Sequence, residues 1–198
     1  ARLVQTCGVF SEARSAVEAA QARLWLAQGD WPAVDRWAAA LDQRFRPREP
    51  FRYEDELARS TQARVALARN QPDQAIRLLS RLQDAAQGSG RTGRLIQIIL
   101  LKALAQQAAG DIRQALADLT TSLALAEPEG YVRIFLDEGP PMQTLLARWL
   151  ARAGTNPWRD YASRLLSQFD AAPRGVMAAP EIGSPAADRA PSSGQALI

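Results

Sequence analysis

Histidine is absent from this sequence of 198 residues, and cysteine and lysine occur once each. Without histidine the chain lacks the commonest metal ligand, the commonest general base and the usual partner of a nucleophilic Ser or Cys. Cys7 cannot form an internal disulfide, which agrees with a reducing compartment. Lys102, the single lysine, lies inside an apolar segment. These absences argue against an enzyme, and we expect no catalytic residue, no metal and no cofactor.

Long apolar runs are also missing. The longest candidate, from Leu95 to Ala105, is interrupted by Gln97 and Lys102 and is too short to cross a bilayer. No signal peptide opens the chain, and its first residue is Ala rather than Met. We therefore interpret the chain as part of a cytoplasmic protein that makes no membrane contact.

The net charge is only +3. The basic stretch from Arg44 to Arg52 is offset by Glu49 and by the acidic run Glu54-Asp55-Glu56. A solvated loop is the favoured interpretation of this stretch, and a phosphate-binding patch is the alternative. Direct binding of nucleic acid is therefore a less favoured function than binding of another kind.

A sequence unit of about forty residues occurs three times. Gly29, Asn70 and Gly110 each close an apolar helical run, and they lie 41 and 40 residues apart. The surrounding segments read LWLAQGDWPAV, VALARNQPDQAI and AQQAAGDIRQAL. Gly and Asn accept the left-handed conformation that ends a helix, so the first helix of each unit should stop at these positions.

The second helix of each unit has its own start signals. Pro32 and Pro72 suit a first helical turn, where a missing N–H costs little, and Asp111 with Gln114 has capping-box spacing. A small residue stands seven positions before each turn residue, at Ala22, Ala63 and Ala103. Alanine there indicates close contact between paired helices.

The periodicity predicts an all-α fold, a superhelical stack of antiparallel helix pairs of the tetratricopeptide kind. The apolar helix around Leu95–Leu104 should lie in the middle of the stack, covered on several sides. We expect helices near 11–28, 31–45, 52–69, 72–87, 91–109, 111–126, 130–137, 141–153 and 157–169.

The composition changes at Ala171. The last 28 residues are mostly Ala, Pro, Gly and Ser and include no aromatic residue. Such a segment cannot bury enough surface to offset the entropy of ordering it. We therefore expect a helical repeat domain at 1–170 and a disordered linker or tail at 171–198.

Two groups of residues have both a structural and a functional interpretation. Trp25, Trp31 and Trp37 should pack the first unit, and the alternative is an aromatic platform for a ligand. Asp137-Glu138 and the acidic run at 54–56 could be proposed as carboxylate pairs for catalysis. Adjacent acids near helix ends are more often solvent-exposed caps, which is the interpretation we favour.

The segment ALAEPEGYVRIFLDEGPPMQTLL, residues 124–146, carries a family resemblance. The pattern runs from Gly130 through Phe135 to Gly139 and continues in a Pro-Met-x-x-Leu-Leu helix. It resembles the end of the helical repeats in large ATP-dependent bacterial transcription activators related to the maltose regulon activator. The resemblance covers about residues 11–170.

The resemblance implies a function. In that family an ATPase module, a winged-helix region and the helical repeats precede a LuxR-type helix-turn-helix, and neither the ATPase motif nor the recognition helix occurs in this sequence. The repeats would bind a small-molecule inducer or a regulatory protein, and this binding would promote self-association and transcription activation. DNA would be contacted only through a domain that this sequence does not contain. The alternative is a protein–protein scaffold unrelated to transcription.

The repeat register suggests where binding occurs. The residue after the small alanine, Arg23 in the first unit and Arg64 in the second, should face the superhelix interior, with Gln97 and Gln107 further along. Unpaired arginines placed together invite a carboxylate or phosphate. The alternative is that acids such as Glu18 or Asp55 pair with both arginines and only keep the face soluble.

Overall fold

The structure is a computed structural model that describes residues 2–44, 56–87 and 90–171, with side chains described from residue 13 to residue 169. All regular structure in these ranges is α-helical. The helices are α1 (Arg2–Gln28), α2 (Trp31–Arg44), α3 (Glu56–Ala68), α4 (Pro72–Ala86), α5 (Thr92–Ala108), α6 (Ile112–Ala126), α7 (Arg133–Leu136), α8 (Pro140–Leu150) and α9 (Arg159–Ala171). The predicted all-α stack of helix pairs is confirmed. The predicted linker lies outside the described residues, except for Ala171.

The turn that joins the two helices of a pair has the same geometry in all three units. Gly29, Asn70 and Gly110 have φ angles of 72°, 55° and 85°, in the left-handed region. The next residue in each unit donates its backbone N–H to a carbonyl five residues earlier, at 2.9 Å in every case. This double feature is a Schellman motif, so the predicted ends of the first helices are confirmed.

Aspartate side chains begin two of the three second helices. Asp30 Oδ1 accepts a hydrogen bond from the Ala33 backbone N–H, and Asp111 Oδ1 accepts one from Gln114, both at 3.1 Å. In the second unit no side chain caps α4, and Pro72 occupies the first turn instead. The local signals that set these starts are therefore readable in the sequence.

The small alanines lie where paired helices meet. Ala22, Ala63 and Ala103 are fully buried, as the repeat register predicts. Helix α5 packs against α3, α4, α6 and α8, which confirms its predicted place inside the stack. Most of its buried apolar residues belong to two neighbouring core clusters, one towards α4 and one towards α6 and α8.

The tryptophans of the first unit belong to the core, as expected. Trp37 is buried with Val34 and Leu41, and Trp25 and Trp31 pack at the edge of the same cluster. The Arg69 guanidinium lies 5.6 Å from the centre of the Trp31 ring. These contacts support packing rather than a ligand platform.

The family-like segment packs against the last repeat. Phe135 on α7 is fully buried and meets the Tyr161 ring edge to face, with 6.1 Å between ring centres. Trp149 Nε1 on α8 donates a 2.7 Å hydrogen bond to Thr120 Oγ1 on α6. The ring contact joins α7 to α9, and the hydrogen bond attaches α8 to the repeat stack, against which it packs through α5 and α6.

In the described ranges four helices differ by more than one residue from the sequence prediction, and one of them, α8, ends at Leu150 rather than at 153. Helix α1 begins at Arg2 rather than near residue 11, and α7 spans only Arg133–Leu136. Helix α9 begins at Arg159 because Asn156 Oδ1 accepts from the Trp158 backbone N–H, at 3.0 Å, within a turn that precedes it. None of the helices in the described ranges combines the length and the apolar character that crossing a membrane requires.

Candidate ligand-binding site on the first helices

The first helices of the three units are neighbours, because α3 packs against both α1 and α5. A pocket of about 80 Å³ opens on the face that these helices share, and we name it the first-helix pocket. Its polar residues include Arg23 on α1, Arg64 on α3 and Gln97 on α5. These three side chains, one from the first helix of each unit, therefore border a single pocket.

Three of the four predicted binding residues are therefore brought together. The fourth, Gln107, does not border the pocket, because its Nε2 donates a 3.3 Å hydrogen bond to the Pro141 carbonyl at the start of α8. Leu104, which occupies the position of Arg23 and Arg64 in the third unit, is buried in the core that α8 helps to form. The helices after the repeats thus cover the third unit and leave the pocket to the first two units and the start of α5.

Arg64 makes a bidentate ion pair with Glu138, which lies between α7 and α8. Arg64 Nη1 donates to Glu138 Oε2 at 2.5 Å, and Nη2 donates to Oε1. The Glu138 side chain is only 2% exposed, and that of Arg64 is 19% exposed. The expectation of two unpaired arginines is therefore wrong for Arg64, whose charge is balanced by an acid that the repeat register did not indicate.

The acids proposed as alternative partners lie elsewhere. Glu18 accepts from Arg14 at 2.9 Å and pairs with Arg44 at 3.0 Å, so it does not pair with Arg23 or Arg64. Asp55 lies outside the described residues. Arg64 is paired, as that alternative expects, but its partner is the buried Glu138 rather than either of the acids named.

The interpretation of adjacent acids as solvent-exposed caps is wrong for two residues. Glu138 is buried, and so is Glu56, which accepts from Arg91 at 2.9 and 3.1 Å. Asp137 does conform, since it is exposed and pairs with Arg133 at 3.2 Å. The two buried acids differ because each pairs with an arginine that is distant in sequence, and this pairing compensates for the removal of the carboxylate from water.

The two arginines differ electrostatically. Burial acts to lower the pKa of Arg64, but the hydrogen bonds and the negative charge of Glu138 outweigh it and raise the pKa. The pKa of Arg23 is lowered by burial and by the positive charge of Arg64, against the opposing influence of Glu138 and Asp137. Arg23 has no hydrogen-bond or ion-pair partner in the part of the chain that the structure describes. It is thus the cation of this site that is available to a ligand.

Gln97 also has a defined orientation. Arg94 Nη1 donates a 3.0 Å hydrogen bond to Gln97 Oε1, which leaves the Gln97 amide nitrogen for another acceptor. Across 2–44, 56–87 and 90–171, no group of three or more acidic or cysteine side chains could hold a metal ion. The arrangement is suited to binding an acceptor group.

Comparison with known proteins identifies the family. The family described as the MalT-like TPR region matches residues 1–152 of the 198 in the chain. No curated protein and no solved structure matches the chain significantly. The match covers the three helix pairs and continues through the segment 124–146 that carries the resemblance. This chain belongs to the MalT-like TPR region family.

Proposed function

We propose that the chain is the ligand- or partner-sensing module of a bacterial transcription regulator. The observation that carries the proposal is the family match over residues 1–152, which makes the chain a helical repeat module of a MalT-type regulator. In this proposal a small-molecule inducer or a regulatory protein binds the repeats, and binding controls activation and self-association. DNA is contacted through another domain, and the chain performs no catalytic step.

The first-helix pocket is the proposed place of binding. It joins residues of the first and second units with the start of α5, so a ligand there would contact three helices at once. Arg64, at the border of the pocket, is bonded to Glu138 in the α7–α8 connection. A ligand that changes the position of Arg64 would therefore alter how the last three helices are held, which offers a route from binding to self-association.

A protein–protein scaffold unrelated to transcription is the second candidate. Stacked helix pairs suit that role equally well, because they present an extended surface to partners. The family match favours the regulator, because its family is named for a regulator's repeats. A measurement of transcription separates the two candidates.

The test is an in-frame deletion of residues 1–152 in the bacterium that encodes the chain, followed by sequencing of its RNA. A sensing module of a regulator should change the transcripts of a limited set of promoters when it is removed. The same strain complemented with the intact gene should recover the original pattern. Unchanged transcripts under every growth condition tried would exclude the regulator and favour the scaffold.

The proposed location is tested by Arg23→Gln in the same gene. This substitution removes the available cation and leaves the Arg64–Glu138 pair intact. Arg113→Gln, at an exposed position on α6, is the matched control. The response of the affected promoters should be lost with Arg23→Gln and kept with Arg113→Gln.

A further inference from the structure

The first-helix pocket carries one positive charge that its own residues do not balance. Arg64 and Glu138 neutralise each other in their bidentate pair. Arg23 borders the same pocket and has no partner in the described part of the chain. A ligand that carries one negative charge would make the pocket neutral, whereas a dianion would add a surplus charge close to Glu138.

The polar groups available at the pocket are chiefly hydrogen-bond donors. The Arg23 guanidinium can only donate, and the Gln97 amide presents its nitrogen because Arg94 occupies its oxygen. Two hydroxyl groups, of Ser60 and Thr61, complete the polar lining and can donate as well. Such a set of groups favours a ligand whose polar end only accepts.

The rest of the pocket is apolar and small. Alanines at 16, 19 and 20 line it on α1, with Leu57 on α3 and Leu101 on α5. A cavity needs roughly 10–15 Å³ of volume to hold one water molecule. A pocket of about 80 Å³ therefore accommodates only about six groups of that size. This volume suits a short aliphatic chain and excludes a sugar or a nucleotide as a fully enclosed ligand.

We propose that the first-helix pocket binds a small aliphatic monocarboxylate, with its carboxylate on Arg23 and Gln97 and its chain against the alanines of α1. The planar fork of an arginine matches the two oxygens of a carboxylate. The proposal rests on the proposed function, because it names the chemical class of ligand that the sensing site takes.

The experiment measures binding of acetate, propionate and butyrate to the 198-residue chain by titration calorimetry and by thermal unfolding. Sodium chloride at the same ionic strength is the reference, and inorganic phosphate is the competing anion. Butyrate should raise the melting temperature in a saturable manner and bind more tightly than acetate, because more of its surface contacts the apolar lining. Phosphate should bind more weakly than butyrate.

Two variants locate the site, and one serves as control. Arg23→Gln should weaken butyrate binding at least tenfold, whereas Arg113→Gln should leave it unchanged. Ala20→Leu narrows the apolar side of the pocket and should weaken butyrate more than acetate. Circular dichroism of each variant establishes that it is folded.

Three results would overturn the proposal. The first is that the carboxylates stabilise the chain no more than chloride does. The second is that the Arg23→Gln variant binds butyrate as tightly as the unchanged chain does. The third is that phosphate or an acidic peptide binds and butyrate does not. Each result leaves the transcript test of the proposed function unaffected, because that test names no ligand. Unchanged transcripts after the deletion of residues 1–152 would instead reject the regulator and leave carboxylate binding measurable.

Discussion

Arg64 on α3 and Glu138 between α7 and α8 are 74 residues apart in the chain and form a bidentate ion pair. The pair connects the border of the first-helix pocket to the segment that carries the family resemblance. Because Glu138 is almost fully buried, its charge depends on Arg64 for compensation. The pair is therefore the main polar link that we find between the pocket and the helices after the repeats.

Replacing Glu138 should destabilise the fold. Glu138→Gln keeps the shape of the side chain but removes its charge, so Arg64 remains partly buried without a counter-ion. The free energy of unfolding should fall by about 3 kcal/mol, the lower end of the range for breaking buried pairs, because Arg64 retains some contact with water. Urea unfolding of the variant measures this loss.

The control for this prediction is the neighbouring acid. Asp137→Asn removes an exposed charge that forms an ion pair with Arg133, four residues earlier. The cost should stay below about 0.5 kcal/mol, as for other exposed pairs on one helix. Equal effects of the two substitutions would contradict the role given to the Arg64–Glu138 pair.

Enlarging the small alanines should separate the paired helices. Ala63→Leu and Ala103→Leu each add three carbon atoms at a fully buried position, and each should cost about 1–3 kcal/mol of unfolding free energy. Ala117→Leu, on the exposed side of α6, is the matched control and should be nearly neutral. Thermal unfolding of the three variants checks the prediction, and a harmless change at both buried positions would refute the repeat register.

The helix pairs could be predicted from the sequence because local chemistry determines them. A residue in the left-handed backbone conformation ends the first helix of each unit, and an aspartate or a proline begins the second. A buried alanine marks the contact between the paired helices. All of these signals lie within a few residues of the feature that they specify. The periodicity of α5 likewise predicts its central place, because a helix that is apolar on all sides must be covered on all sides.

The binding site could be predicted only in part, because its electrostatics depend on contacts between distant residues. The repeat register placed Arg23, Arg64 and Gln97 on one face, and they do border one pocket. It gave no indication that Glu138 would neutralise Arg64, since nothing local relates the α7–α8 connection to α3. Nor did the register indicate that Gln107 would lie away from this pocket, where it donates a hydrogen bond to the Pro141 carbonyl of α8.

Asn70 should respond to substitution in a way that depends on its backbone conformation. It is the one residue other than glycine with a positive φ in the described ranges, at 55°. Asn70→Ala should cost about 1 kcal/mol of unfolding free energy. A residue with a β-carbon is disfavoured in the left-handed conformation, and alanine lacks the short polar side chain whose local hydrogen bonds allow asparagine to adopt it. Asn70→Gly should be close to neutral, and urea unfolding distinguishes the two. A larger loss with glycine would contradict the conformational explanation.

Tyr161 should make the fold sensitive to alkaline pH. Burial, aided by the negative charge of Glu127 and opposed by Arg164, raises the pKa of its hydroxyl to about 12 from the ordinary value of 10.0. The hydroxyl also donates a hydrogen bond to the Tyr131 carbonyl, which the ionised form could not do. Between these two pKa values the unfolded chain releases the proton and the folded chain retains it. The stabilisation from this group is therefore complete below about pH 10 and declines as the pH rises towards about 12.

Urea unfolding at several pH values in this window tests the role of Tyr161. The unfolding free energy should decline less steeply with pH in the Tyr161→Phe variant than in the unchanged chain. The control is Tyr131→Phe, which keeps the backbone carbonyl that accepts the hydrogen bond and should keep the steeper decline. The same dependence on pH in the unchanged chain and in both variants would show that Tyr161 does not cause the decline.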